Sequence, residues 1–157
     1  MTHYFRLDGA QFPFSDRASP RMALRTPLII VNLKTYPQGF GDAGLGLCRD
    51  MAAVADASGA CLAAATSALD LRRYAIEAGL PVLAQHVDPA PAGAHTGTVL
   101  PEAAAAAGAV GTLVNHAERQ LDWSTIEATL ARARVAGLAT VLCTADVEAT
   151  ARGAALR

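Results

Sequence analysis

The sequence predicts an α/β chain of repeated strand–helix units around a parallel sheet, and three observations carry that reading. Short apolar runs, LIIVNL at 28–33 and VGTLVN at 110–115 among them, begin about 20–32 residues apart, the spacing of βα repeats. Alanine-rich stretches between them stop at Gly59, Gly79, Gly108 and Gly137, and a glycine just past a helix supplies the left-handed residue that ends it. Short, largely apolar strands of this kind belong to a parallel sheet covered on one or both faces.

The elements follow in order. Residues 1–27 hold four of the eight aromatics and are broken by Pro13, Pro20 and Pro27, so they are expected to form an irregular N-terminal arm. Met22, just before the first strand, is an alternative start. Residues 28–157 carry the βα units. The first strand is 28–33, and a helix over about 43–58 ends at Gly59. A weak, alanine-rich strand at 60–66 leads to a helix over 68–78 closed by Gly79. The third strand, PVLAQH at 81–86, opens into a Pro- and Gly-rich loop over about 87–98. A short helix at 100–107 stops at Gly108, and the fourth strand is 110–115. Asp122 or Ser124 caps a helix running through Ala136, the fifth strand is 140–144, and a final helix follows. Two architectures fit these units: an open doubly wound sheet and a closed (β/α)₈ barrel. A barrel needs roughly 250 residues, so a length of 157 by itself favours the open sheet.

Composition narrows the function. With 52% hydrophobic and 17% charged residues the chain is no disordered segment. Thirteen basic against fourteen acidic residues leave little from which to build a nucleic-acid-binding face. No apolar run approaches a membrane span, and residues 1–20 lack the apolar core of a secretory signal. Cys48, Cys61 and Cys143 are odd in number and include no Cys-x-x-Cys, which argues against a disulfide framework or a structural zinc site. A cytoplasmic protein with reduced thiols is expected.

The polar residues at the strand ends carry the chemistry. The chain uses twelve arginines but a single lysine, Lys34, and only two asparagines, Asn32 and Asn115. All three stand at strand ends, where parallel βα folds gather their ligand sites. Alternation puts Asn32 and Lys34 on one side of the first strand, and Asn115-His116-Ala117-Glu118-Arg119 ends the fourth. Taken singly, His116 and Glu118 read as helix caps and Lys34 as half of a surface pair. Taken together they read as a site. The run GFGDAGLG at 39–46 contains a superficial Gly-x-Gly-x-x-Gly but follows a loop rather than a strand, so its glycines are expected to give a flexible approach to the first helix. No phosphate-binding loop ending in Gly-Lys-Ser/Thr occurs. His86 beside Asp88 reads as a satisfied strand-end histidine rather than a metal ligand. His95 reads as exposed, Cys143 as an inert core thiol, Trp123 as a packing anchor, and Arg119 as the partner of a nearby carboxylate.

Four segments, VNLKTY (31–36), AQHVDP (84–89), GAHTGTVLPE (93–102) and AGAVGTLVNHAER (107–119), together resemble triosephosphate isomerase, in its shorter archaeal-type branch, from about residue 27 onward. The resemblance implies a parallel (β/α)₈ TIM barrel, incomplete here at about five of eight units. It implies interconversion of dihydroxyacetone phosphate and glyceraldehyde 3-phosphate through an enediol, with no cofactor and no metal. It assigns Lys34 to electrostatic stabilisation near the substrate phosphate and the developing enediolate oxygen. It assigns His116 to a neutral, electrophilic imidazole, Asn32 to substrate contact, and Glu118 to support of Lys34. Thr96 and Gly97 match a loop that enters a partner subunit, implying a homodimer or homotetramer. Two departures stand out. Ala117 replaces the usual serine, and no segment resembles the Val-Glu-Pro-Pro-Glu stretch that carries the family's glutamate base after strand six. The phosphate-gripping loops after strands six to eight are missing as well. The expectation is therefore a fragment holding the electrophile half of a site and inactive alone. The alternatives are a non-catalytic barrel piece that needs a complementing chain, and a phosphate-binding lyase or aldolase using Lys34 as a Schiff-base nucleophile.

Overall fold

The structure, a computed structural model, describes residues 4–7, 10–13 and 23–156. Within the arm expected to be irregular, Tyr4–Leu7 (β1) pairs antiparallel with Ala10–Pro13 (β2) as a sheet of its own. Asp8-Gly9, which separates them in sequence, is a strong hairpin signal between short strands. The remaining residues of the arm up to 22 lie outside the described residues.

Five strands form the main sheet: Leu28–Asn32 (β3), Cys61–Thr66 (β4), Val82–Ala84 (β5), Gly111–Val114 (β6) and Ala139–Leu142 (β7). All neighbours are parallel and the order is β3-β4-β5-β6-β7. Helices Gly41–Ser58 (α1), Ala68–Glu77 (α2), Pro101–Ala107 (α3) and Trp123–Val135 (α4) connect them, and Val147–Ala154 (α5) follows β7. This order decides between the two architectures. A doubly wound sheet reverses direction at a switch point, which puts helices on both faces. Here each strand adds to the same edge, and with right-handed crossovers every helix falls on the same side. The open sheet that length favoured is therefore replaced by five consecutive staves of a half-barrel.

Side chains divide by parity, as the period of a strand requires. Ala63, Ala65, Leu83 and Leu113 form one cluster with Leu28, Ile30 and Val141 on the concave face. Ala64, Val82 and Ala84 point the other way, into a larger core with Leu45, Cys48, Leu71 and Tyr74 of α1 and α2. Val114 packs with Ile126 and Leu130 of α4 in a third cluster, joined by Trp123. Arg152 lies 4.1 Å over the Trp123 ring, so that residue is the packing anchor expected. The outer staves are less covered: Ile29 on β3 is 58% exposed, and Ala139 and Thr140 of β7 are exposed.

Caps settle the helix ends. Asp122, not Ser124, caps α4, its carboxylate accepting the Thr125 N–H at 2.9 Å. Gly59 closes α1 at φ 74, donating to Ala55. Two of the glycines before and within α1, Gly39 and Gly44, correct an expectation, because they are close contacts rather than flexible joints, whereas Gly41 and Gly46 have nothing within 4 Å. A Cβ on Gly39 would lie 2.5 Å from the Leu33 carbonyl oxygen, and one on Gly44 would overlap the Tyr74 hydroxyl. That hydroxyl is fully buried and donates to the Gly41 carbonyl at 2.8 Å, which seats α2 against the start of α1.

Candidate active site

The site is built at the C-terminal ends of β3 and β6. Asn32 ends β3 on the concave side, in parity with Leu28 and Ile30. Its Oδ1 accepts the Lys34 N–H at 3.0 Å, a side-chain turn that replaces the strand ladder with a sharp bend. Lys34 accordingly adopts φ 52, the left-handed region that few residues other than glycine enter. At the end of β6, Asn115 does the same at φ 59. Its Nδ2 donates to the Cys143 carbonyl at 2.9 Å and its Oδ1 accepts the Leu121 N–H at 2.8 Å. Those two bonds bracket a tight turn, closed by the Arg119 N–H on the His116 carbonyl at 2.7 Å.

Lys34 and Glu118 meet across three strand intervals. In a flat sheet those strands would stand about 14 Å apart. The inward curl of the sheet brings Lys34 Nζ to 2.9 Å from Glu118 Oε1. The hydrogen bond that Lys34 donates to Glu118, aided by the carboxylate's charge, holds the Lys34 ammonium above its ordinary pKa. The same bond holds the Glu118 carboxyl below its own. His116 sits beside them, its Nδ1 accepting the Glu118 backbone N–H at 3.2 Å. Glu118 Oε2 is 3.6 Å from the same nitrogen, beyond hydrogen-bond reach. With Nδ1 an acceptor, the ring carries its proton on Nε2.

The structure thus brings together Asn32, Lys34, His116 and Glu118, as the strand-end reading expected. It adds Gln85, which that reading passed over. Gln85 follows β5 and its Nε2 donates to Asn32 Oδ1 at 3.1 Å, the Lys34 carbonyl at 2.9 Å and the Ala65 carbonyl at 3.3 Å. Thr96 and Gly97 stand elsewhere, on the exposed tip of the loop after β5, Gly97 at φ 89. The neck of that loop is pinned by Asp88, whose N–H donates to the Val99 carbonyl at 2.8 Å and whose Oδ2 accepts the Val99 N–H at 2.7 Å. Asp88 Oδ1 also meets His86 Nε2 at 2.9 Å, with Arg119 at 3.7 Å. Burial pushes the Asp88 carboxyl up, but the bonds from His86 and Val99 outweigh it and hold it below the usual range. His86 is therefore satisfied within the protein. Among the described residues no group of three or more His, Cys, Asp or Glu is placed to hold a metal ion. Cys143 lies just past β7, its thiol pushed up by burial.

Comparison with known proteins decides the family. The profile described as Triosephosphate isomerase matches residues 27–156. The chain belongs to the triosephosphate isomerase family. It is 42% identical over 131 residues to the triosephosphate isomerase of Methanobacterium bryantii, covering 83% of this chain and 58% of that protein. It is 44% identical over 131 residues to that of Methanosarcina acetivorans, covering 83% and 59%. The chain thus spans a little over half the length of the curated triosephosphate isomerases it matches. The crystal structure of triosephosphate isomerase from Bartonella henselae superimposes with a TM-score of 0.63 at 20% identity, over 82% of this chain and 55% of that one. The half-barrel of β3–β7 is thus part of a TIM barrel. No helix among the described residues is long and apolar enough to cross a membrane.

Proposed function

We propose that this chain supplies the electrophile half of a triosephosphate isomerase site, for the interconversion of dihydroxyacetone phosphate and glyceraldehyde 3-phosphate in the cytoplasm. The observation that carries the reading is the Lys34–Glu118 contact at 2.9 Å with His116 in the same turn. A substrate carbonyl placed against His116 would receive the Nε2–H. That donor stabilises negative charge as the neighbouring C–H proton leaves, its electron pair forms the C=C of the enediolate, and the carbonyl π pair moves onto oxygen. The Lys34 ammonium, kept charged and positioned by Glu118, supplies a fixed positive charge for that oxygen and the phosphate. Ala117 stands in this turn where the family's usual residue carries a hydroxyl.

The proton itself needs a base, and the chain's five glutamates do not offer one. Glu77 is bound by Arg49 on the outer helices, Glu102 by Arg132, and Glu118 by Lys34. Glu127 and Glu148 lie on α4 and α5, outside the sheet. The base and the phosphate-gripping loops therefore come from further βα units, in a complementing chain or a longer protein. The exposed loop carrying Thr96 and Gly97 is the surface through which such barrels would pair as a homodimer or homotetramer.

The alternative of Schiff-base chemistry at Lys34 is disfavoured by the same contact. A nucleophilic amine must be deprotonated, and Glu118 holds this one charged. Residues 1–157 assayed alone should show no isomerase turnover. Borohydride added with dihydroxyacetone phosphate should leave Lys34 unmodified on mass mapping. A kcat/KM in the ordinary enzyme range of about 10⁴–10⁸ M⁻¹s⁻¹ would contradict the first expectation, and a reduced adduct on Lys34 the second.

A further inference from the structure

We propose that Gln85 is a positioning residue that holds Lys34 and Asn32 in their working conformations; the functional part of this rests on the reading of those two residues as site groups. Gln85 reaches from the end of β5 across the end of β4 to the turn after β3. Its backbone N–H stays on the ladder, donating to the Thr66 carbonyl at 3.0 Å. The two hydrogens of its side-chain NH₂ then face three oxygens: Asn32 Oδ1 and the Ala65 carbonyl, which also accept the Lys34 and Leu33 N–H groups, and the Lys34 carbonyl.

Both backbone groups of Lys34 are therefore tied. Asn32 Oδ1 takes its N–H at 3.0 Å, and Gln85 takes hold of its carbonyl at 2.9 Å. A non-glycine residue at φ 52 persists where its surroundings over-determine it, and this pair of bonds does so. Gln85 also fixes the Asn32 amide. Because Oδ1 already accepts from Lys34 and Gln85, the amide cannot flip without setting NH₂ against two donors. Its Nδ2 hydrogens are left for a ligand. Only an amide meets these demands at position 85. A carboxylate would oppose three acceptors with a fourth, and a thioether would take from the Lys34 carbonyl the donor that Gln85 gives it.

The experiment uses the fact that Lys34 is the sole lysine. In the 157-residue chain, Gln85→Met and Glu118→Gln are compared with the parent in two ways: amide hydrogen exchange at Lys34 read by NMR, and the rate of reductive methylation of Lys34 read by peptide mass mapping. Gln85→Met should speed Lys34 amide exchange about tenfold while amides of Leu83 and Leu113 keep their rates, and should speed methylation about fivefold. If Lys34 exchange is unchanged, or rises only in step with Leu83 and Leu113, Gln85 merely staples strands and the proposal is overturned. If Lys34 exchange rises locally but methylation is unmoved in both variants, the clamp stands and the reading of Lys34 and Glu118 as a functional pair fails instead. Gln85→Glu, which keeps size and removes the donor, should reproduce the local change and guards against a packing effect of methionine.

Discussion

Gly44→Ala is expected to destabilise the chain by about 3 kcal/mol, at the upper end of what overpacking usually costs, whereas Gly46→Ala two residues on should stabilise it by up to about 1 kcal/mol. Both glycines lie in α1, so helix propensity favours alanine at each. The difference is what the methyl group meets. At Gly46 nothing lies within 4 Å, while at Gly44 the new Cβ overlaps the Tyr74 hydroxyl and comes within 2.5 Å of the Gly39 carbonyl carbon. Tyr74 has no room to withdraw, being fully buried and bonded to Gly41. Gly39 is equally confined, set against the Leu33 carbonyl oxygen. Urea unfolding of the two variants measures this directly. Equal and small changes would mean that α1 and α2 are not seated as described.

Lys34→Met, in a barrel completed by further βα units, is expected to lower kcat/KM by about 10²–10³-fold, the scale of removing one preorganised charge-stabilising donor. Lys34→Arg should recover little of it. A planar guanidinium distributes its charge over a fork, whereas the turn at φ 52 aims a compact ammonium at Glu118. Steady-state kinetics of the two variants beside the parent provide the check. Full activity in Lys34→Arg would show that charge alone matters at this position and that the turn does not.

What could be foreseen from sequence, and what could not, divides along the range of the signal. The five strands lie within about two residues of their expected ends, and Gly59 and Gly108 end their helices in the left-handed conformation expected, because apolar runs and caps are local features. Asn32 and Lys34 could be singled out because a chain poor in Lys and Asn spends them at strand ends, and His116 and Glu118 because they follow Asn115 at another strand end, in a segment whose resemblance assigns their roles. Strand order is not local. Five βα units suit an open sheet or a barrel segment, and length alone favours the open sheet; the four-motif resemblance pointed to the barrel, and the order β3-β4-β5-β6-β7 bears it out. The glycines of 39–46 misled for the same reason. Their spacing suggests looseness, and the side chain that needs the smallness of Gly44, Tyr74, is thirty residues away from it. Gln85 was hidden inside a run that reads as an apolar strand. Its amide acquires a purpose only where the ends of β3, β4 and β5 converge. The pairing of β1 with β2 was the exception, a local signal in Asp8-Gly9 overshadowed by the prolines around it.

The most direct test of the account mixes residues 1–157 with a polypeptide carrying the remaining βα units of a methanogen triosephosphate isomerase and measures isomerase turnover. Activity should appear in the mixture, be absent from either piece alone, and fall about 10²-fold or more when the chain carries Lys34→Met. A mixture that assembles by size exclusion yet shows no turnover, or one whose activity is indifferent to Lys34, would contradict the claim that this chain holds the electrophile half of the site.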